Sequence, residues 1–145
     1  MVIDLRELKR KGKLEQSFYF EYQTERELST LPDVIVDMPI KVNGTVFLTG
    51  ERSAFVECEV TFTLSGNCNR CLEKTSKTFV ATFSEECDDE SQVLKLSGDR
   101  IVLDGAVEDT VIINLPLIFL CSEDCKGICF GCGVNLNNQQ CKCKN

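Results

Sequence analysis

Apolar and polar residues alternate along the middle of the chain. Over residues 56–64 every second position is apolar or cysteine, and the positions between them are glutamate or threonine; a second alternation covers residues 79–83. A period of two places one set of side chains on a buried face and the other in solvent, which is typical of strands. We therefore predict two antiparallel strands, joined by a loop that contains Cys68 and Cys71.

The first third of the chain carries further strand signals. Residues 14–22 alternate in the same way and predict a half-buried strand. Its apolar side comprises Leu14, Phe18, Phe20 and Tyr22. Residues 24–31 fit a short helical turn ended by Pro32. Extended character resumes over residues 34–42, where Pro39 predicts an edge strand or a bulge because proline has no backbone N–H.

Two turns are predicted between these strands. Asn43-Gly44 is a strong hairpin signal, since both residues tolerate the positive φ that a type I′ turn requires. Residues 50–53 predict a second turn, immediately before the clearest strand pattern.

A helix is predicted after the polar stretch that follows the second alternation. Residues 107–115 have helical spacing of their apolar positions, Asp104 is a candidate N-cap, and Glu108 and Asp109 suit an N-terminal turn. Pro116 would end this helix. The β-branched residues of the same stretch make a strand the alternative.

Together these elements predict an α+β fold. We expect an antiparallel β-sheet or a partly open barrel, with one or two short helices and a C-terminal cysteine-rich zinc-binding module. The 145 residues suffice for one compact core. We predict an α+β body over residues 1–120, which carries the hairpin with its CxxC motif. A zinc module over residues 121–145 would pack on that body.

The sequence predicts a protein of a reducing compartment. The amino terminus lacks the apolar core of a secretory signal, and no window approaches the roughly 18 apolar residues of a membrane span. We therefore expect a cytoplasmic protein with no membrane partner. In that compartment the ten cysteines are more easily explained by metal binding or catalysis than by disulfides.

The charge favours a basic partner. Sixteen basic and twenty-three acidic residues give a net charge of −7, which opposes sequence-independent binding to phosphates. Local exceptions are the basic stretch at residues 6–13 and the C-terminal lysines Lys126, Lys142 and Lys144. These lysines are either an ordinary solvated surface or a contact to nucleic acid or a protein partner.

Two of the ten cysteines are expected to be bystanders. Cys58 lies on the inward side of its predicted strand and is best explained as a small buried hydrophobic residue. Cys87 follows a strand among acidic residues, which would raise the pKa of its thiol.

The CNRC loop predicts metal binding. Two cysteines three residues apart in a turn can direct both sulfurs at one metal ion, and Cys68 and Cys71 have this spacing. A thioredoxin-type redox motif would instead begin a helix within a βαβ unit, which this hairpin does not offer. Metal ligation is therefore the preferred interpretation.

The C-terminal stretch supplies a complete set of metal ligands. Cys129 and Cys132 have the same spacing, and Cys141 and Cys143 follow shortly after. Four thiolates bind zinc tetrahedrally and leave no open position for water, so such a site is structural. A short segment with almost no core of its own needs this stabilisation.

The pairing of the remaining cysteines has two solutions. Cys121 and Cys125 could join Cys68 and Cys71 in a second four-sulfur site that ties the tail to the hairpin. Alternatively, one site draws on Cys68, Cys71 and two tail cysteines while the others stay free or oxidise. The spacing leaves both open.

Catalysis is not expected. The chain contains no histidine, which removes the commonest general base, and it carries neither a Walker loop nor a GxGxxG motif. We expect no small-molecule substrate. A thiol redox protein that uses Cys68 and Cys71 and a zinc-stabilised protein adaptor are the alternative functional classes.

Four segments resemble the YceD family, the large ribosomal RNA subunit accumulation proteins. They are "DLRELKRKGK" near the start, "GNCNRCLE", "LPLIFLCSEDCKGICFGCGVNLN" and the closing "CKC". The tail pattern is specific, whereas a lone CxxC would not be. One departure is Phe130, which stands where the family usually has proline.

The resemblance implies a role in accumulation or processing of 23S ribosomal RNA. Together with the charge it leads to the hypothesis that the acidic body binds a basic ribosomal protein and that lysines of the zinc module contact large-subunit precursor RNA. Members are often encoded beside a zinc-ribbon ribosomal protein. The family's cysteine motif, carried onto this chain, implies one or two zinc ions. The implied ligands are Cys68, Cys71, Cys121, Cys125, Cys129, Cys132, Cys141 and Cys143.

Overall fold

The computed structural model describes residues 1–143 of the chain. In chain order the elements are β1 (Val2–Asp4), α1 (Arg6–Arg10), β2 (Glu15–Tyr22), β3 (Val34–Gly50), β4 (Ser53–Asn67), β5 (Lys74–Cys87), β6 (Leu96–Ser97), β7 (Arg100–Val102) and α2 (Asp104–Ile113). No helix in this part of the chain has the length and apolar character to cross a membrane.

The main sheet is antiparallel and has the strand order β2-β3-β4-β5. β4 and β5 pair without a register shift from Ala54 opposite Cys87 to Asn67 opposite Lys74. The alternation over residues 56–64 and 79–83 thus correctly predicted a long hairpin, with Cys68 and Cys71 in the loop at its tip.

A smaller sheet of order β1-β7-β6 and helix α2 complete the fold. Side chains from both sheets and from α2 share one buried apolar cluster, in which Phe62, Ile101 and Val107 are almost fully inaccessible to solvent. Within residues 1–143 the four-stranded sheet keeps β2 and β5 as edges, so it does not close into a barrel. The α+β prediction is confirmed, with an open sheet rather than a barrel.

The predicted hairpin at Asn43-Gly44 is wrong. Both residues lie inside β3, opposite Glu59 and Cys58 of β4, and neither has the positive φ that a type I′ turn requires. Glycine is needed here for close approach: a Cβ on Gly44 would lie 2.0 Å from the carbonyl oxygen of Glu57. The glycine therefore marks backbone crowding within the sheet.

The other predictions for this region have mixed outcomes. The turn at residues 50–53 is confirmed, because β3 ends at Gly50 and β4 begins at Ser53. Pro39 lies at a register shift between Asp37 and Lys41, which confirms the predicted bulge. Residues 24–31 form no helix, and the helix of this half is α1, which the pattern did not indicate. Leu14 precedes β2 and is 72% exposed, so it is not part of the strand's buried side.

Helix α2 is confirmed over the alternative strand, with two corrections near its start. The N-cap position is Leu103, and Asp104 lies inside the first turn. Glu108 and Asp109 lie in the second turn and not in the N-terminal turn as predicted. Glu108 is buried and accepts hydrogen bonds from Tyr22 Oη and Arg26 Nη1, both at 2.6 Å. These bonds hold the pKa of Glu108 below its usual range and fasten α2 to the end of β2 and to the chain that follows it.

We predict that Gly44→Ala destabilises the protein. The added methyl group collides with backbone atoms of β4, and overpacking of this kind costs about 1–3 kcal/mol. Urea denaturation followed by circular dichroism measures the loss. Gly105→Ala is the matched control, because a Cβ there meets no atom within 4 Å, and alanine in a helix is favoured over glycine by about 1 kcal/mol. A Gly44→Ala protein as stable as the wild type would contradict the close approach.

Candidate metal centres

The first group of cysteines lies at the hairpin tip; we call Cys68, Cys71, Cys121 and Cys125 the hairpin cluster. Their sulfurs all lie within 4.8 Å of one another. Cys68, Cys71 and Cys125 are buried and Cys121 is partly buried. The structure therefore brings the CxxC loop together with two tail cysteines, and the group could hold a metal ion.

Local backbone hydrogen bonds shape the hairpin tip. Cys68 N–H donates to the Glu73 carbonyl at 2.9 Å, and Leu72 N–H donates to the Cys68 carbonyl at 3.0 Å. Leu72 has a φ of +63°, a conformation that side-chain-bearing residues adopt rarely. The turn thereby directs the sulfurs of Cys68 and Cys71 to the same side.

The tail is guided to the tip by contacts on either side of Cys121. The buried Phe119 anchors the preceding chain in the main core, and its carbonyl accepts a hydrogen bond from Asn69 N–H at 2.8 Å. After the cluster, the Arg70 guanidinium donates to the Cys125 carbonyl at 3.1 Å. Hydrogen bonds to backbone carbonyls of the tail therefore join the tip and the tail, in addition to the proximity of their sulfurs.

The sulfur spacing in the hairpin cluster suits a tetrahedral ion. The sulfurs of Cys68 and Cys125 are 3.7 Å apart, as are those of Cys71 and Cys121. Zinc–sulfur bonds of about 2.3 Å in a tetrahedron place the sulfurs roughly 3.8 Å apart. A disulfide bond is about 2.05 Å long, and the cysteines are all free.

Neighbouring thiols in the hairpin cluster oppose each other's ionisation. Burial by itself raises the pKa of the Cys68 thiol, but backbone N–H groups, chiefly those of Cys71 and Cys121, donate to it and lower its pKa to about 6. Burial, aided by the neighbouring Cys68 sulfur, raises the pKa of Cys71 to about 12. One thiolate therefore opposes ionisation of the next, and a bound cation removes this repulsion.

Asn137 is a polar neighbour that the sequence reasoning missed. Its side-chain amide donates to the Cys125 sulfur at 3.3 Å, and its side-chain carbonyl accepts from Lys126 N–H at 2.9 Å. The first of these bonds is the largest cause of the lowered pKa of Cys125. Only its position in "GVNLN", close to the cysteines, signalled such a role.

The second group, the tail cluster, comprises Cys129, Cys132, Cys141 and Cys143. These sulfurs also lie within 4.8 Å of one another. The Cys129 sulfur is 3.3 Å from that of Cys141 and 3.6 Å from that of Cys143. Of the two predicted pairings, the structure therefore has the one with two groups of four sulfurs. That these eight residues bind zinc stays a prediction.

Backbone N–H groups also surround the tail cluster. The turn after Cys129 closes through Gly133 N–H, which donates to the Cys129 carbonyl at 2.8 Å. Donation from the backbone of Cys132 is the largest cause that lowers the pKa of Cys129, to about 6. The nearby Cys129 sulfur contributes most to raising the pKa of Cys143, to about 12. The same competition between neighbouring sulfurs occurs in both clusters.

The two clusters differ in burial. In the tail cluster Cys129 is partly buried and the other three cysteines are exposed. Phe130 is fully exposed, and Cys129 and Cys132 on either side of it both belong to the cluster. Solvent and chelators therefore reach the tail cluster more readily than the hairpin cluster.

The bystander cysteines behave as expected. Cys58 is buried in the main core, and burial raises the pKa of its thiol to about 12. Cys87 is also buried, which is the main reason that its pKa is raised; the adjacent Asp88 and Glu86 add to this shift. Among residues 1–143, neither belongs to a cluster that could hold metal.

The predicted contact lysines flank the clusters. Lys126 follows the hairpin cluster and Lys142 lies within the tail cluster, and both are exposed. Lys144 lies outside the described residues. The role of these lysines in binding a partner stays a prediction, as does the division into residues 1–120 and 121–145.

Fold and clusters together define a class: small α+β proteins with an antiparallel sheet and two four-cysteine groups able to hold metal. The family model described as large ribosomal RNA subunit accumulation protein YceD matches residues 56–145. The chain therefore belongs to the YceD family, which confirms the resemblance. The match includes both cysteine clusters, whereas the basic stretch near the start lies outside it.

A curated relative has the same family name. The chain is similar to the large ribosomal RNA subunit accumulation protein YCED homolog 1, chloroplastic, of Arabidopsis thaliana, with 26% identity over 52% of this chain and 35% of the relative. The alignment thus spans about a third of that relative's length. No solved structure gives a significant match.

We predict that Cys132→Ser and Cys71→Ser have unequal effects. Cys132 belongs to the exposed cluster, so its loss should loosen the tail and leave the unfolding free energy of the sheet within about 0.5 kcal/mol of the wild type. Cys71 belongs to the buried cluster, where weakened metal binding should lower stability by roughly 2–4 kcal/mol. Limited proteolysis reports on the tail, and urea denaturation reports on the sheet.

Cys58→Ala, a cysteine outside both clusters, controls for loss of a thiol and should leave tail proteolysis unchanged. Global unfolding of Cys132→Ser would contradict this prediction. It would show that the tail and the sheet form one cooperative unit.

Proposed function

We propose that this protein is a non-catalytic, zinc-binding, cytoplasmic factor in biogenesis of the large ribosomal subunit, needed for accumulation or processing of 23S ribosomal RNA. The family description and the name of the Arabidopsis relative support the ribosomal part of the proposal. Binding of a basic ribosomal protein, of precursor RNA or of both is the means by which it would act.

The single observation that carries the non-catalytic part is the grouping of eight cysteines into two sets of four sulfurs. A divalent ion held by four thiolates has no open position for water or substrate, so its contribution is to hold the chain in place. The absence of histidine from the sequence is consistent with this role.

Zinc is the ion that the ligands favour. Thiolates are soft ligands, and a tetrahedral four-sulfur set selects zinc or iron. Each occupied site would carry a formal charge near −2, which takes the net charge of the chain from −7 to about −11. A basic partner is then favoured further, while Lys126, Lys142 and Lys144 give a local surface that could contact RNA.

We predict two zinc ions per chain. Native mass spectrometry in reducing buffer should give a mass two zinc ions above that of the denatured chain, because each cluster supplies a closed ligand set. One ion would favour a single site that draws on both segments. No tightly held metal would overturn the structural-site proposal, and visible absorption by the purified protein would identify iron instead.

We also predict that loss of the protein lowers the amount of mature 23S ribosomal RNA relative to 16S. The measurement is rRNA quantification in cells of the source organism after gene deletion. Wild-type protein should restore the ratio, whereas Cys71→Ser should not. Cys58→Ala is the matched cysteine control and should restore it. An unchanged ratio in the deletion strain would overturn the ribosomal function.

A thiol redox function is the second candidate, and the lowered pKa of Cys68 is the observation that favours it. Disulfide exchange needs an accessible sulfur, however, and Cys68 is fully buried with three other sulfurs around it. Turnover of a disulfide substrate by metal-free protein would support this candidate. A zinc-stabilised adaptor without a ribosomal link would instead bind zinc and leave rRNA unchanged.

A further inference from the structure

The four-stranded sheet has one face turned away from the core, which we call the outer face. It is formed by the odd-numbered residues of β2, β3 and β4 and by the even-numbered residues of β5, as the strand registers and the exposure pattern show. Within residues 1–143 no other element covers it: Tyr19 is 56% exposed and Val80 is 61% exposed. The outer face is thus an unpartnered sheet surface.

The outer face is acidic. It carries Glu15, Glu21, Glu57, Glu59 and Glu86. Lys41, opposite Glu21, is the basic residue near its middle, and Lys74 lies at the end next to the hairpin tip. Among the described residues none of these five glutamates forms an ion pair, whereas Asp4, Glu7 and Glu108 elsewhere do. The carboxylates of the outer face are therefore available to an external cation.

Glu57 and Glu59 form the centre of this surface. They lie two residues apart on β4, so their side chains leave the same face about 7 Å apart. Both border a shallow depression of about 380 Å³ that is also lined by Asn43, Thr45 and Thr82. Because these neighbours are small and polar, a long cationic side chain can reach both carboxylates.

We propose that the outer face is the docking surface for a lysine- and arginine-rich polypeptide. Charge complementarity selects this occupant: a negative face repels nucleic-acid phosphates and attracts basic side chains. Exposed Tyr19 and Val80 add apolar contact for the stems of such side chains. The inference rests on the proposed function, since it identifies the surface to which the basic partner of that proposal would bind.

The experiment uses the full-length zinc-loaded protein and a fluorescent ten-residue oligolysine peptide as probe. Fluorescence anisotropy at several salt concentrations should show binding that weakens as salt rises, because exposed charge pairs are screened. Glu57→Lys combined with Glu59→Lys should weaken binding by about tenfold or more, since two favourable charge pairs are lost and the charge reversal adds repulsion. The milder Glu57→Gln/Glu59→Gln variant should lie between that variant and the wild type.

Glu25→Lys combined with Glu27→Lys is the matched control. Both residues are exposed and lie outside the strands, and the change in net charge is the same. The control should bind the probe within about twofold of the wild type. Equal loss in both double variants would assign binding to net charge, and no binding by the wild type would remove the basic-polypeptide occupant; either result overturns the proposal. Circular dichroism and zinc content establish that each variant is folded.

A second measurement separates this inference from the proposed function. Sedimentation of cell extracts shows whether the protein travels with large-subunit precursors. Wild-type protein that co-sediments, together with loss of co-sedimentation in Glu57→Lys/Glu59→Lys alone, supports the outer face as the docking surface. If that variant co-sediments as well as the wild type, the docking proposal fails and the ribosomal role stands. If the wild type itself does not co-sediment, the ribosomal role fails.

Discussion

Residues 121–143 depend on the contact between the hairpin tip and the tail. Over residues 121–143 the chain forms no helix or extended strand, only an isolated bridge between Ile128 and Asn135. So little regular structure buries too little apolar surface to offset the entropy lost on ordering the chain. We propose that an ion held by the four sulfurs of the hairpin cluster supplies the missing free energy, since it would join Cys68 and Cys71 to residues some fifty positions away.

The position of the tail cluster depends on the hairpin cluster. The hairpin cluster is buried at the end of the sheet, and the chain reaches it shortly after Phe119, which is buried in the core. The sheet and the core therefore support this cluster. The tail cluster is exposed and is held mainly by its own turns and sulfurs. Its position relative to the sheet is therefore set through the hairpin cluster, and the family match over residues 56–145 includes all of these parts.

Sequence patterns predicted what is local and missed what is set by pairing across the chain. The alternation in β4 and β5 and the cysteine spacings are local, and both correspond to features of the structure. Asn43-Gly44 led to a wrong prediction because the turn preference of these residues is a local property. The close approach of Gly44 to Glu57 exists only once β3 and β4 have paired. The choice between two cysteine pairings depends on topology, and spacing carries no information about which distant residues meet.

The acidic outer face and the metal clusters share the β4–β5 hairpin but depend on different forces. Glu57 and Glu59 lie near the middle of β4, where backbone pairing runs without a shift from Ala54 to Asn67. Cys68 follows the end of that pairing. The ladder of hydrogen bonds and the core beneath it therefore order the outer face, whereas we expect a metal ion to order the tip and the tail. A single hairpin thus presents a charged surface ordered by the sheet and, at its end, a segment whose order we expect to depend on metal.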